Sequence, residues 1–312
     1  MTVEDVVAKR RLPMRQDLQK FVQDCVKEGN SAHAMRVLFQ ATQLVAPGSL
    51  TPSHAYLVEL LMSADKYDNA GLLFDEKVVS IEPSQTDVCF ADFVKYFSFK
   101  GRYHALRNEW EMAYTAFETA LLAGGVEESH HGIAAYNCLI IVGALVDRSP
   151  PHIENIRCEV ARKIAGCLQG GDRDGALAVA VANEAEIKNF YHVCKAAIND
   201  VTAHQLLRLT RVYCTLPLAE VATAVSLTPQ ECRALITKLV AQERLLATID
   251  TTTNTVAFEE VPITDCVAQL EAGISNALKL SETIERLNDN LTSSPSYILT
   301  SGQITTDMVD GK

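Results

Sequence analysis

The sequence lacks the patterns that are typical of secreted, membrane-spanning or metal-binding proteins. It has one tryptophan, and aromatic residues make up only 6% of its 312 residues. None of its nine cysteines forms a Cys-x-x-Cys pair, so neither a zinc site nor a disulfide framework is indicated. The longest apolar run, residues 134–146, is shorter than the roughly 20 residues that cross a bilayer. We therefore expect no membrane span, and free, mostly buried thiols in the cytoplasm or nucleus.

Cations are in the minority. The chain has 28 Lys and Arg against 39 Asp and Glu, a net charge of -11. Sequence-independent binding to a phosphate backbone needs clustered cations, so this balance disfavours it. Apolar residues make up 48%, and because they are mostly Ala, Leu and Val they favour closely packed helices over a large sheet.

A degenerate helical repeat occupies most of the first 200 residues. In its best copy Ala113, Phe117 and Ala120 follow Phe97 and Gly101 at the spacing of the tetratricopeptide pattern. Small residues let two helices approach closely, and the aromatic residue fills the gap to the next pair. Weaker copies contain Ala34, Leu38 and Ala41, and then Ala70 and Phe74. The repeat predicts an α-solenoid, with an irregular helical bundle as the alternative.

The pattern changes after residue 200. A helix predicted over 202–213 precedes a short strand or turn at 215–217 and a short helix over 218–225. Thr228-Pro229-Gln230-Glu231 is a complete helix start, with a threonine N-cap, proline at the first position and a glutamate that closes the capping box. This start predicts a helix that ends at about residue 243.

Two β-rich runs follow that helix. Residues 245–249 and 255–258 flank a polar turn and predict a hairpin. Helix, short strand, short helix, capped helix and hairpin is the order of a winged helix.

A long helix is predicted from about Asp265 to Leu291. Its apolar residues recur every seven positions, which gives a coiled seam that one helix cannot bury alone. Residues 292–312 are rich in Ser, Thr and Gly and are predicted to be a disordered tail. The residues predicted to contact partner helices are Val267, Leu270, Ile274, Leu280, Ile284 and Leu287.

The region around the predicted winged helix also resembles a known family. The residues that carry the likeness are Leu206, Leu209-Thr210-Arg211, Tyr213, Leu216, Leu218 and Val221-Ala222. They resemble the PCI domain, which occurs in the proteasome lid, the COP-nine signalosome and translation initiation factor three. The likeness is greatest to the signalosome branch, over roughly residues 90–297. The arm of this chain is shorter than is usual there.

The resemblance implies a mostly α fold, an α-solenoid followed by a winged-helix PCI subdomain and a long C-terminal helix. The expected division is 1–200 for the arm, 201–262 for the winged helix, 263–291 for the bundle helix and 292–312 for the tail. In the family, winged-helix sheets join edge to edge and the C-terminal helices gather in a bundle. The sheet residues predicted to contact partners are Leu216, Leu246, Thr248, Val256 and Phe258.

The function implied is that of a non-catalytic scaffold. The signalosome removes NEDD8 from the cullins of ubiquitin ligases, and its catalysis belongs to a different, zinc-bearing subunit. The implied partners are other PCI and MPN subunits and, indirectly, cullin-RING ligases, with no cofactor, nucleic acid or small-molecule ligand. The alternatives are a PCI subunit of the proteasome lid or of the initiation factor, and a PCI nucleic-acid adaptor.

Two residue pairs invite a catalytic or metal-binding interpretation. His130 and His131 follow two glutamates, but adjacent histidines in a helix point about 100° apart and rarely share a metal. Cys194 stands two residues from His192, and residues two apart on a helix do not face each other. We expect a polar helix start at the first pair and a buried structural thiol at the second.

Two basic features invite a nucleic-acid or targeting interpretation. Residues 215–260 hold three cations against six acids. That balance favours protein contact over DNA binding. The cluster Lys9-Arg10-Arg11 with Arg15 is expected to be a solvated terminus, with a localisation or partner patch as the alternative.

Overall fold

The computed structural model describes part of the chain, and contacts divide the chain into two compact units. One unit comprises residues 1–212 and 221–232, and the other comprises 213–220 and 233–312. The predicted bundle helix, the tail and the cluster at 9–11 lie outside the described residues. Those described are 15–45, 48–64, 66–75, 88–122, 129–250 and 252–259.

The arm is built from successive helices, most of which pack on the next one in the sequence. Two hydrophobic cores run through it, one between Leu18 and Tyr103 and the other between Ala105 and Val201. This confirms the predicted helical class. The helices are α1 Arg15–Lys27, α2 Ser31–Val45, α3 Pro52–Ser63, α4 Tyr67–Asp75, α5 Phe90–Leu106, α6 Trp110–Leu121, α7 His130–Val146, α8 Glu159–Gly170, α9 Arg173–Ala182, α10 Glu184–Ile187 and α11 Tyr191–Thr210.

The best copy of the repeat forms the pair α5 and α6. Ala113, Phe117 and Ala120 are fully buried. Gly101 lies against the Phe117 ring so closely that a Cβ on the glycine would meet a ring carbon at 2.6 Å. The glycine therefore sets how near the two helices approach, as the repeat predicts.

The long apolar run forms α7, whose residues 134–145 are all buried. Ser129 caps its start, because the Ser129 hydroxyl accepts a hydrogen bond from the Gly132 N–H. Asn137 is accommodated because its Nδ2 donates to the carbonyl oxygen of Ile133 at 2.9 Å. None of the helices described here has both the length and the apolar character that a membrane crossing requires.

Two turns separate helices in the middle of the arm. Helix α7 ends at Val146, before the Ser149-Pro150-Pro151 segment. At the second turn Gly171 has a φ of 73°, a left-handed conformation that favours glycine. Asp172 then caps α9 by accepting a hydrogen bond of 2.8 Å from the Gly175 N–H.

The elements after residue 212 follow the order of a winged helix, as predicted. They are β1 Thr215–Pro217, α12 Leu218–Ala224, α13 Pro229–Ala241, β2 Ala247–Asp250 and β3 Thr255–Phe258. The capping box before α13 is present. The Thr228 N–H donates to Glu231 Oε2 at 3.0 Å, and the Glu231 N–H donates to Thr228 Oγ1 at 3.3 Å.

The helix that leads into the winged helix differs from the expectation. It was expected over 202–213, but α11 runs from Tyr191 to Thr210 without interruption. The expected division at 200/201 therefore falls inside a helix. Tyr213, the last residue of the expected helix, lies beyond the end of α11 with 45% of its surface exposed.

Candidate partner interface

The three strands form one antiparallel sheet with the order β1-β3-β2, so β3 is the central strand. Leu246 and Thr248 are exposed and Leu216 is half-buried. Val256 is fully buried and Phe258 is 7% exposed. Val256 and Phe258 are buried because alternate side chains of β3 point inward, and the β3 backbone is paired on both sides. Their predicted contact with a partner stays a prediction.

Among the described residues no strand pairs with the outer edge of β2, and the groups on this free edge can be identified from the hydrogen bonds on the other side of the strand. The Glu259 N–H donates to the Leu246 carbonyl oxygen at 2.9 Å. In an antiparallel pair, hydrogen-bonded positions alternate, so Thr248 and Asp250 bond to β3 in the same way. Ala247 and Ile249 therefore direct their N–H and C=O groups away from the sheet.

The free edge of β1 is poorer in donors. The Phe258 N–H donates to the Cys214 carbonyl oxygen at 2.7 Å, and the Leu218 N–H donates to the Asn254 carbonyl oxygen at 2.8 Å. By the same alternation Thr215 and Pro217 face outward, and proline has no N–H. The β1 edge thus offers one outward N–H where the β2 edge offers two.

The turn at the end of β2 is ordered by its own side chains. The carboxylate of Asp250 accepts hydrogen bonds from the Thr252 N–H at 2.8 Å and from the Thr253 hydroxyl at 2.7 Å. Hydrogen bonds from the Thr252 hydroxyl, the Thr253 hydroxyl and the Thr252 N–H lower the pKa of Asp250 to about 2. Arg233 Nη2 donates to Asn254 Oδ1 at 3.1 Å. These hydrogen bonds hold residues 252–254 near the end of β2, and Asp250 places a negative charge at the end of the free edge at neutral pH.

The two residue pairs considered for chemistry lie in the arm. The rings of His130 and His131 are 4.0 Å apart, and no group of three metal-binding side chains occurs within the described ranges. Cys194 is 1% exposed, and burial raises its pKa to about 11, so the thiol is protonated at neutral pH. His192 is exposed. Cys194 is a buried thiol, as expected.

The second predicted interface, from Val267 to Leu287, lies outside the described residues and stays a prediction. The sheet interface also stays a prediction for all of its residues. Sequence reasoning missed the difference between the two edges. Pro217 indicates a strand that lacks one N–H donor, but which residues face outward depends on the register of the strands.

Comparisons with known proteins agree with this architecture. Residues 12–160 match the family model described as COP9 signalosome complex subunit 3, N-terminal helical repeats, and residues 183–260 match the PCI domain model. The chain is 22% identical over 276 residues to COP9 signalosome complex subunit 3 of Dictyostelium discoideum, an alignment that covers 82% of this chain. The chain spans 66% of that relative's length. The likeness to the signalosome branch, and within it to subunit three, is confirmed.

Proposed function

Since the chain belongs to the PCI-domain family that carries the helical repeats of COP9 signalosome subunit 3, we propose that it is a non-catalytic scaffold subunit of a COP9 signalosome. That complex removes NEDD8 from cullin-RING ubiquitin ligases. The observation that carries the proposal is that both family regions occur on one chain, at residues 12–160 and 183–260. The proposed partners are other PCI and MPN subunits, and cullin-RING ligases indirectly. The proposed location is the cytoplasm and nucleus.

Assembly through the winged-helix sheet is supported by the edge of β2. Its outward N–H and C=O groups at Ala247 and Ile249 can pair with a strand of a neighbouring subunit. Thr248 and Leu246 are exposed beside that edge. The negative charge of Asp250 at its end gives the contact a polarity, which favours one strand direction and register over others. We infer that β2 rather than β1 receives the neighbouring strand.

The absence of catalysis is part of the same proposal. The one thiol considered as a nucleophile, Cys194, is buried and protonated, and His192 is exposed beside it in sequence. A scaffold instead needs extended surfaces for protein contact. The helical arm, the β2 edge and the predicted heptad seam can supply them.

Affinity purification of a tagged chain tests this function. The full chain is expected to recover PCI and MPN subunits in fixed stoichiometry. A chain truncated after residue 262 is expected to keep the helical circular dichroism of the arm but lose the complex. Normal stoichiometry for the truncated chain would exclude the bundle helix from assembly. Recovery of proteasome lid or initiation factor subunits instead would replace the signalosome with one of the alternatives.

A further inference from the structure

A cluster of cationic and aromatic side chains lies where α5 meets the start of α7. The ring centroids of Phe99 and His131 are 5.5 Å apart, and those of His130 and His131 are 4.0 Å apart. The guanidinium carbon of Arg102 lies over the Phe99 ring, 5.1 Å from its centroid. Two helices thus bring Arg102 and His131 to one aromatic ring, with His130 beside His131. We call Phe99, Arg102, His130 and His131 the Arg102 cluster.

The guanidinium of Arg102 has no acidic partner among the residues that the structure describes. Its Nε is enclosed by protein and makes no hydrogen bond to any of them. Arg107, which directly follows α5, differs because its Nε lies 2.9 Å from Glu109 Oε1. A guanidinium carries five N–H donors, and an enclosed donor without an acceptor destabilises the fold. Arg102 is half-buried, so an external acceptor would have to reach the terminal nitrogens of the guanidinium rather than the enclosed Nε.

The charged groups that act on His131 among the described residues are His130, Lys95 and Arg102, although the chain carries a net charge of -11; Glu127 and Glu128, just before α7 in the sequence, lie outside the described residues. Lys95 lies two turns before Arg102 on α5 and already pairs with Glu59, at 2.7 Å between Nζ and Oε2. Helix α7 contains no Asp or Glu. Burial, together with the charges of His130, Lys95 and Arg102, lowers the pKa of His131 to about 3. These cationic groups and the guanidinium without an acidic partner favour an anionic ligand.

We propose that the Arg102 cluster binds an acidic peptide segment of a partner protein. The guanidinium of Arg102 can hold a carboxylate through two parallel N–H···O bonds, which suits arginine better than lysine. The neutral ring of His131 supplies one further N–H donor. A peptide fits better than a nucleic acid, because the acidic chain repels a long polyanion beyond the cluster.

Fluorescence anisotropy with the full chain tests the proposal, using a short fluorescein-labelled oligoglutamate as the probe. The peptide is expected to bind, an oligoglutamine of equal length is not, and added salt is expected to weaken binding. Arg102→Gln is expected to weaken binding roughly tenfold, since it removes a charge-assisted bidentate contact. Arg102→Lys is expected to recover part of the affinity, because it keeps the charge but loses the planar fork.

Arg36→Gln is the matched control. Arg36 is an exposed arginine of α2 that makes no hydrogen bond or ion pair with a described residue. The control is expected to bind within roughly twofold of the unchanged chain. Equal losses for Arg36→Gln and Arg102→Gln would overturn the proposal, since only overall charge would then matter. Tighter binding of a short single-stranded RNA than of oligoglutamate would also overturn it.

Thermal melting by circular dichroism checks that the variants are folded. If Arg102→Gln lowers the melting temperature, Arg102→Lys and His130→Gln carry the comparison, because lysine keeps the stem of the side chain and His130 is exposed. Both are then expected to weaken oligoglutamate binding while Arg36→Gln does not. Unchanged binding in both folded variants would contradict a site at this place.

Discussion

Trp110 and Asp200 are joined by a buried hydrogen bond, in which the indole Nε1 donates to the carboxylate Oδ2 at 2.7 Å. The residues are 90 positions apart, at the start of α6 and in the middle of α11. Trp110 is 6% exposed and Asp200 is 7% exposed. The bond therefore ties the helical repeats to the helix that leads into the winged-helix sheet.

Trp110→Phe is expected to lower the free energy of unfolding by about 2–3 kcal/mol, because it opens space and removes a donor to a buried carboxylate. Urea unfolding followed by circular dichroism measures the change. Tyr114→Phe on the same helix is the control, since it removes only a neutral hydrogen bond of 3.4 Å to the Ser149 carbonyl oxygen. The control is expected to cost less than about 1 kcal/mol. Equal losses would show that the bond to Asp200 contributes nothing particular.

Gly101→Ala is expected to destabilise the arm by about 1–3 kcal/mol. The added Cβ would meet Phe117 at 2.6 Å, so α5 and α6 must move apart. Gly166→Ala is the matched control, because Gly166 is an exposed glycine of α8 with open space at the Cβ position. Alanine there is expected to stabilise by about 0.5–1 kcal/mol through helix propensity. Thermal or urea unfolding separates the two, and the same sign for both would contradict the role of close helix approach.

His54 makes the stability of the arm depend on pH. It is 4% exposed on α3, and burial lowers its pKa from 6.5 to about 4. Its Nδ1 accepts a hydrogen bond of 3.1 Å from the Thr51 N–H, which requires that nitrogen to be unprotonated. The unfolded chain therefore binds a proton between pH 6.5 and 4 while the folded chain does not. His54 is expected to cost about 2 kcal/mol of stability as the pH falls from 7 to 5.

His54→Gln tests this expectation by urea unfolding at pH 7 and pH 5. Glutamine keeps an acceptor for the Thr51 N–H but does not titrate. The variant is expected to lose about 2 kcal/mol less than the unchanged chain between the two pH values. His192→Gln replaces an exposed histidine and is expected to leave the pH dependence unchanged. An unchanged slope in His54→Gln would mean that other groups cause the acid sensitivity.

Features set by neighbouring residues were predictable from the sequence. The capping box of Thr228 and Glu231 needs only local spacing, and the approach of Gly101 to Phe117 follows from the repeat. The bond between Trp110 and Asp200 was not predictable, because nothing local relates residues that far apart.

The candidate sites show the same division. The Arg102 cluster depends on how α7 returns beside α5, which the sequence pattern leaves open. Likewise, the hairpin was predictable, but the inward direction of Val256 and the outward edge of Ala247 depend on strand register.

Pairing at the β2 edge is the central structural claim of the scaffold function, and Ala247→Pro addresses it. Proline at the first residue of a strand is tolerated, and here it removes an N–H that faces away from β3. Thr215→Pro removes the corresponding outward N–H from β1 and is the matched control.

The most direct measurement is quantitative mass spectrometry of the subunits that co-purify with each variant, at equal expression and with unchanged melting temperature. Ala247→Pro is expected to reduce the recovered PCI subunits severalfold relative to the unchanged chain, because a strand-pairing hydrogen bond is lost at the edge. Thr215→Pro is expected to recover the full complex. Full recovery by folded Ala247→Pro, with loss in Thr215→Pro, would contradict the assignment of β2 as the assembling edge.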